Sequence, residues 1–448
     1  MSKAVWIENL GCPKNEVDGE RMESLLSKRG YKIVSERNQA DVLILNSCGF
    51  IQEAKEESIE KLFSLLDMKR EEGKKKVILC GCLAQRYPRE LWNKLTELDG
   101  IFGIKEIEQV DQICSSVLRG ERKFSVDFPQ RRNGVGKMKR RTQRMPFAYL
   151  KIADGCENRC SYCAIPDIRG DLRSKRMAHI VDEARQLTEM GVKEIDLIAQ
   201  DSTLYGSDLY GEIKLPQLLS SLSRIPKLRW IRLLYTHPAH FSDELIEEMA
   251  SNPKVCKYVD LPLQHISNEI LKRMNRKVTR KEVEQLISKL RGRIPHVTLR
   301  TSFIVGFPGE RKRHFKELLG FVEEVRFDRL GAFPYSREDG TRAYNFKGQL
   351  SNRVKQERLD QLMLIQQKIA FENNKDKVSK VMTVLVDSKS EQQNGFYIGR
   401  SQAEAPEVDG IVMLYGEGIK AGNFVKVKVM DWSDYDLIAQ TLREVKHG

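Results

Sequence analysis

Short apolar runs alternate with longer polar stretches through the first 125 residues. Runs at 5–10, 42–45 and 77–79 have the length and make-up of buried parallel strands. The segments between them, 16–28 and 53–69, repeat apolar positions at helical spacing. Strands and helices taken in turn predict an α/β parallel sheet, because parallel neighbours need a long crossover between them. From 146 to 345 the alternation resumes with six strand candidates, 147–152, 194–199, 230–234, 258–261, 298–305 and 330–333. Helix-like stretches at 180–190, 243–251, 281–292 and 313–325 fill gaps between them. Repeated units of this kind predict a partial (β/α) barrel of the TIM type, with its reactive face at the carboxyl ends of the strands.

Residues 345–377 read as a charged helix. The texture then shortens to alternating strands at 382–386, 395–399, 410–414, 424–429 and 437–442. Turn residues separate them, and a small five-stranded OB-like β-barrel fits. The expected organisation is an α/β N-terminal domain over 1–125, a linker over 126–145, a barrel core over 146–376 and a terminal β-barrel over 377–448.

Cysteine placement adds chemistry to this frame. Cys156, Cys160 and Cys163 form a C-x3-C-x2-C run that offers three thiolates within eight residues. Cubane iron–sulfur clusters usually take four Cys, so a three-ligand loop leaves one iron open to another partner. Zinc motifs space their ligands as paired C-x2-4-C units with a second pair further on, and no such pair follows. The spacing favours a cluster, with a zinc knuckle lacking its fourth ligand, or chance, as the other readings. A second trio is dispersed: Cys12, Cys48 and Cys82 each follow one of the three N-terminal strand runs. Ligands in open α/β sheets gather beyond the carboxyl ends of strands, so these thiols can meet in space. Gly11, Gly49 and Gly81 beside them allow close backbone approach. Core cysteines or a zinc site are the alternatives there. Cys80, Cys114 and Cys256 read as core residues.

Polar residues recur after the barrel strands: Asp154, Gln200, Asp201, His237, Gln264, His265 and Tyr335. Any one of them fits a turn former, but their recurrence points to a site. From position alone, Gln200, Asp201 and Gln264 are expected beside the reacting groups. Gly306-Phe-Pro-Gly309-Glu310 is a tight loop able to approach a cofactor closely.

At about 150 residues per domain, 448 residues hold about three domains. Nine Cys are too few for a disulfide scaffold in such a chain, and neither a signal peptide nor an apolar stretch near 18 residues is evident. A secreted or membrane-spanning protein is therefore not expected, and a reducing cytoplasm is. A net charge of +13 suggests a polyanionic partner such as RNA or a ribosome. Seven basic residues, Arg131, Arg132, Lys137, Lys139, Arg140, Arg141 and Arg144, crowd the linker, with no acidic residue between Arg131 and Arg144. That segment reads either as a solvated connector or as an arm touching phosphate. From Asn374 onward ten Lys and Arg face eleven Asp and Glu. The terminal barrel is thus near neutral and better suited to a basic protein than to RNA.

With these motifs together, the chain resembles the radical S-adenosylmethionine methylthiotransferases over nearly its whole length. The resemblance rests on Cys12, Cys48 and Cys82, on the C-x3-C-x2-C loop, and on a C-terminal TRAM-like barrel. It implies that Cys156, Cys160 and Cys163 hold a 4Fe-4S cluster whose open iron chelates S-adenosylmethionine. It also implies a second 4Fe-4S cluster on Cys12, Cys48 and Cys82 that carries the sulfur to be inserted. Gly306 falls among the cofactor-binding positions and Gln200, Asp201 and Gln264 among the catalytic ones. The implied reaction places a methylthio group on an unactivated carbon and needs a low-potential electron donor.

Asn46-Ser-Cys-Gly-Phe-Ile-Gln-Glu-Ala-Lys-Glu-Glu-Ser-Ile, Gln200-Asp201-Ser-Thr-Leu-Tyr-Gly and Ile168-Arg-Gly-Asp171 resemble the branch that modifies an aspartate of small-subunit ribosomal protein number twelve. Ala164-Ile-Pro-Asp-Ile departs from that branch's form. The tRNA-adenosine branch, which shows Gln-Asn in place of Gln200-Asp201, is the alternative. A non-enzymatic iron–sulfur protein that binds RNA or the ribosome is another. The expected enzyme is a monomer that engages its ribosomal-protein substrate through the TRAM-like module and does not contact a membrane.

Overall fold

The computed structural model describes residues 3–127 and 145–442. The basic run between Arg131 and Arg144 lies outside the described residues. The chain forms two compact units: residues 3–127, 151–179 and 336–344 make one, and residues 145–150, 180–335 and 345–442 the other.

The first unit is built on a six-stranded sheet. Its order is Lys32–Ile33, Ala4–Asn9, Val42–Ser47, Lys76–Cys80, Gly100–Phe102 and Lys123–Ser125, parallel throughout. The central strand Val42–Ser47 is buried along its whole length. Its side chains alternate between two cores, as a period of two requires. Val42 and Ile44 join one cluster with Met22, Leu26, Val110, Ile113 and Cys114. Leu43 and Leu45 join the other with Leu62, Leu65 and Leu66. Those partners sit three and four apart on the helices Pro13–Lys28, Val110–Leu118 and Gln52–Glu72, so each helix turns one apolar stripe to the sheet. Each such fully buried side chain contributes roughly 1.5–3 kcal/mol.

The strands anticipated at 5–10, 42–45 and 77–79 are present. The strands Lys32–Ile33, Gly100–Phe102 and Lys123–Ser125 were not anticipated. Two or three residues each, they carry no apolar run that periodicity could detect.

Residues 151–179 add a two-stranded hairpin to this unit. Ala153 pairs with Ser174 and Asp154 with Arg173, antiparallel. The loop between holds Cys156, Cys160 and Cys163 and ends in the short helix Ile165–Arg169. Ala164 and Ile168 belong to the same buried cluster as Cys80, Cys82 and Cys114.

Ahead of its terminal barrel, the second unit carries two three-stranded sheets. Phe147–Lys151, Glu194–Ile198 and Trp230–Leu233 form one, and Tyr258–Asp260, Thr298–Val305 and Arg329–Pro334 the other. A parallel bridge from Ile231 to Val255 links them. The result is the expected partial barrel, with helices such as Asp243–Ser251, Arg280–Arg293 and Lys312–Val325 between strands. Thr279 and Glu282 cap the second of these helices reciprocally.

The 24-residue helix Asn352–Lys375, capped by Ser351 Oγ, leads to a closed five-stranded barrel. The barrel order is Val381–Lys389, Tyr397–Arg400, Val412–Tyr415, Leu437–Thr441, Phe424–Trp432. A buried ion network joins it to the larger barrel. Glu194 accepts from Arg232 Nε at 2.8 Å and pairs with Arg400 Nη1 at 2.8 Å, while Asp387 holds Arg400 at 2.7 and 2.9 Å. Among the described residues, no helix is long and apolar enough to cross a membrane.

Candidate active site

Register explains why three cysteines far apart in sequence converge. Asn9 lies opposite Asn46, and Asn46 opposite Cys80, so the three strands end in one row. Cys12, Cys48 and Cys82 follow that row by two or three residues. Cys12 caps the helix Pro13–Lys28, and Cys82 lies in the first turn of Gly81–Arg86. Gly11 has φ +88°, and a Cβ on it would lie 2.8 Å from Cys48 Sγ. Only glycine lets the Cys12 segment approach Cys48 this closely.

Burial pushes the Cys48 thiol up, with the neighbouring Cys12 adding to it. Burial likewise pushes Cys82 up to about 12, against the opposing pull of Arg169, and Cys12 and Cys48 raise it further. Three thiols that disfavour one another's charge are close neighbours. A bound cation reverses that penalty, because coordination deprotonates thiols outright.

The local loop is held differently. Gly155 takes φ +79°, and a Cβ there would lie 2.1 Å from Asp171 O, so Asp-Gly-Cys must be glycine at its centre. Cys156 N donates to Gly170 O at 3.0 Å and Cys163 N to Cys160 O at 3.2 Å. Arg159, with φ +50°, pairs with Asp171 across the loop. Asn158 Nδ2 reaches Cys156 Sγ at 3.6 Å. All three cysteines of this loop are half-buried, and none of the nine in the chain is in a disulfide.

Cys80, Cys114 and Cys256 are buried in cores as expected. Among the described residues, the trio of metal-capable ligand atoms lying within 4.8 Å of one another is Asp201, His237 and His240. Each cysteine trio offers three sulfur donors, one short of the four Cys that usually hold a cubane cluster, and so fits a cluster with one iron left open.

Beside Cys82 and the start of the local loop lies a buried polar node of which sequence reasoning singled out only Asp154. Arg169 Nη1 contacts both Asp154 oxygens at 3.1 Å and Asp18 Oδ2 at 3.2 Å. Arg169 Nη2 donates to Asn15 Oδ1 at 2.7 Å and reaches Cys82 Sγ at 3.5 Å. Lys151 pairs with Asp18 and, at 3.2 Å, with Asp154. Asp154 is held far below the usual carboxylate range: burial pushes it up, but Arg169 and Lys151 outweigh that. The available signal was polar spacing. Asn15, Asp18 and Met22 share one helix face, and Met22 is core, so a carboxylate beside it is an anomaly that needs a partner.

In the second unit, Asp201 follows the strand Glu194–Ile198. Its Oδ1 accepts from Thr203 N at 3.0 Å and from Thr203 Oγ1, and its Oδ2 pairs with His240 Nδ1 at 2.9 Å. Burial raises this carboxyl, but His240, His237 and Thr203 pull it below its ordinary value. His237 stacks on His240 at 4.8 Å and accepts from Ala239 N through Nδ1. Burial, then the charge of Arg276, lowers it to about 2, so it is neutral at pH 7. Internal hydrogen bonds thus already engage these ligand atoms, and the trio reads as an aspartate-oriented imidazole.

Gln200 precedes Asp201 at that strand end. Gln264 has φ +71° and bridges to Phe303 through its backbone. His265 is buried, and its Nδ1 accepts from Ile266 N and Ser267 N, both at 2.9 Å, which makes it a turn-former. Gly306 N donates to Glu310 Oε2 at 2.6 Å, and a Cβ on Gly306 would meet Lys355 Cγ at 2.4 Å. Tyr335 packs edge-on against Phe307 at 5.3 Å.

Residues 4–103 match the Uncharacterized protein family UPF0004, residues 150–322 the Radical SAM superfamily and residues 378–442 the TRAM domain. The chain is 45% identical over 437 residues to the ribosomal protein uS12 methylthiotransferase RimO of Caldanaerobacter subterraneus subsp. tengcongensis, covering 97% of this chain and 99% of that protein. It is 46% identical over 439 residues to the RimO of Desulforamulus reducens, covering 98% and 99%. The chain belongs to the RimO family of methylthiotransferases.

By family it is a radical S-adenosylmethionine methylthiotransferase, as the cysteine trios and the terminal barrel led one to expect. A solved structure of the radical S-adenosylmethionine methyltransferase TsrM from Kitasatospora setae, with cobalamin and a [4Fe-4S] cluster bound, shares the fold. Its TM-score is 0.54 at 14% identity, covering 75% of this chain and 72% of that one.

Proposed function

We propose that this chain adds a methylthio group to the β-carbon of an aspartate in ribosomal protein uS12. Cys156, Cys160 and Cys163 would hold one 4Fe-4S cluster with S-adenosylmethionine, and Cys12, Cys48 and Cys82 a second. When bound, these groups supply the one-electron and sulfur chemistry that the side chains cannot. The observation that carries the reading is that both trios belong to one compact unit, where Arg169 reaches Cys82 and pairs with Asp154 at the start of the local loop.

The chain's own residues do the rest. Gly155 and the Asp154–Arg173 pairing fix the ends of the local loop. Asn15, Asp18 and Arg169 fix the dispersed trio. Gln200, Asp201 and Gln264, at barrel strand ends, are proposed to orient substrate or adenosyl groups, with His240 holding Asp201 ionised. Gly306 is proposed among the cofactor-binding positions. The near-neutral terminal barrel suits a basic ribosomal protein, and the chain is proposed to work in the cytoplasm with a low-potential electron donor, as a monomer.

The test is anaerobic reconstitution with iron, sulfide, S-adenosylmethionine and dithionite, followed by incubation with uS12 and, separately, with tRNA. Mass spectrometry should find a methylthio adduct on the uS12 aspartate, together with 5′-deoxyadenosine. An adduct on tRNA adenosine alone would replace the substrate. Failure to form 5′-deoxyadenosine would favour a non-enzymatic iron–sulfur protein.

A further inference from the structure

The polar node beside Cys82 and the start of the local loop does more than fill space. Asn15 Nδ2 donates to Leu10 O and to Ser47 O, both at 3.0 Å. Those carbonyls end the two strands that run into Cys12 and Cys48. Asn15 Oδ1 accepts from Arg169 Nη2, which also reaches Cys82 Sγ. One hydrogen-bonded pair, Asn15 with Arg169, therefore touches all three ligand-bearing segments. The other guanidinium nitrogen is clamped by Asp154, whose Oδ1 accepts from Gly155 N at 3.1 Å, next to Cys156. The node is charge-balanced, with Asp18 and Asp154 facing Lys151 and Arg169.

We propose that Arg169 is a positioning residue for the dispersed cysteine site, fixing Cys82 and setting the reduction potential of the cluster held there. This rests on the two-cluster reading above. A planar guanidinium is suited to the role because its fork can serve a carboxylate on one side and an amide and a sulfur on the other. Hydrogen bonds to cluster sulfurs and nearby net charge are the main protein levers on such potentials. Removing the guanidinium leaves two carboxylates against one ammonium, a net negative flank that makes electron uptake harder. The potential should therefore fall.

The test uses full-length protein in which Cys156, Cys160 and Cys163 are all Ala, so that only the dispersed site can hold iron. Midpoint potentials are read by anaerobic redox titration monitored by electron paramagnetic resonance, with iron and sulfide counted per chain. Arg169→Gln should shift the potential downward while iron is retained. Arg169→Lys keeps the charge but loses the fork, and should fall between Arg169→Gln and the parent. Equal potentials in the parent and in whichever variants hold iron would overturn the proposal. If Arg169→Gln cannot retain iron, Arg169→Lys alone carries the comparison by the same criterion. A parent without any iron would instead sink the two-cluster reading, which is a distinguishable failure.

Discussion

Gly11→Ala is the sharpest perturbation of the dispersed cysteine site, because a second glycine isolates its two costs. Gly11 and Gly30 have nearly the same backbone, φ +88° and +85°. Gly30 follows the helix Pro13–Lys28 as a left-handed cap, with Tyr31 N donating to Leu26 O and Gly30 N to Ser27 O. A Cβ on Gly30 meets nothing within 4 Å, so Gly30→Ala should cost only the left-handed penalty, about 1–2 kcal/mol. A Cβ on Gly11 would lie 2.7 Å from Cys48 Cβ and 2.8 Å from its Sγ. Relief requires moving Cys48, which is an overpacking cost of about 1–3 kcal/mol on top. The expected total is about 2–5 kcal/mol. Urea midpoints of the two variants should differ by the steric part alone, and anaerobically reconstituted Gly11→Ala should bind less iron. The reasoning is refuted if Gly11→Ala is no less stable than Gly30→Ala and holds iron like the parent.

Further outcomes follow from other buried groups. Asp18→Asn leaves Lys151 and Arg169 facing one carboxylate and should cost about 3–5 kcal/mol, read from denaturant midpoints; an unchanged midpoint would contradict the node's role. Asp196 is held well above the ordinary carboxylate value, first by burial and then by Glu194, and lies 3.4 Å from Arg232 Nε without hydrogen-bond geometry. A raised acid is neutral when folded but ionises when unfolded above about pH 4. Wild-type stability from this group is therefore present below pH 4 and lost as pH rises toward the folded value. Asp196→Asn, which cannot ionise, should match the wild type near pH 4 and melt higher at pH 7.5; the same melting difference at both pH values would argue against this. Cys160→Ala should abolish 5′-deoxyadenosine formation, whereas Cys48→Ala should keep some of it and lose methylthio transfer. Equal loss in both would deny the trios separate jobs.

The legible parts of this molecule are those with a local signature. Six barrel strands and five terminal strands lie close to where apolar alternation put them, and 298–305 coincides with Thr298–Val305. The C-x3-C-x2-C loop is readable because its ligands are near in sequence. Cys12, Cys48 and Cys82 were readable for another reason, namely that each follows a strand of a parallel sheet. What was not legible depends on three-dimensional pairing. Arg169 is 15 residues from Asp154 and 151 from Asp18, and nothing in that spacing announces a contact. The strands Gly100–Phe102 and Lys123–Ser125 exist because the sheet edge offers them partners, a tertiary effect that overrides weak local preference.

The dispersed trio also accounts for an otherwise costly choice in the sheet. At the carboxyl end of its central strand the chain places Asn46, almost fully buried, where an apolar side chain would pack more cheaply. Asn46 Nδ2 donates to Asn9 Oδ1 at 2.9 Å and to Asn15 O at 2.7 Å. Asn15 in turn holds the carbonyls of Leu10 and Ser47. A buried polar ladder stabilises only when its members are satisfied together, and then it fixes one arrangement. Here that arrangement sets the Cys12 helix against the ends of the first and third strands in sequence. An apolar Asn46 would leave Asn15 O and Asn9 without this donor and free the helix to slide against the sheet. Rigid placement of widely separated ligands thus requires polar residues at the sheet's edge, in the row where the strands end.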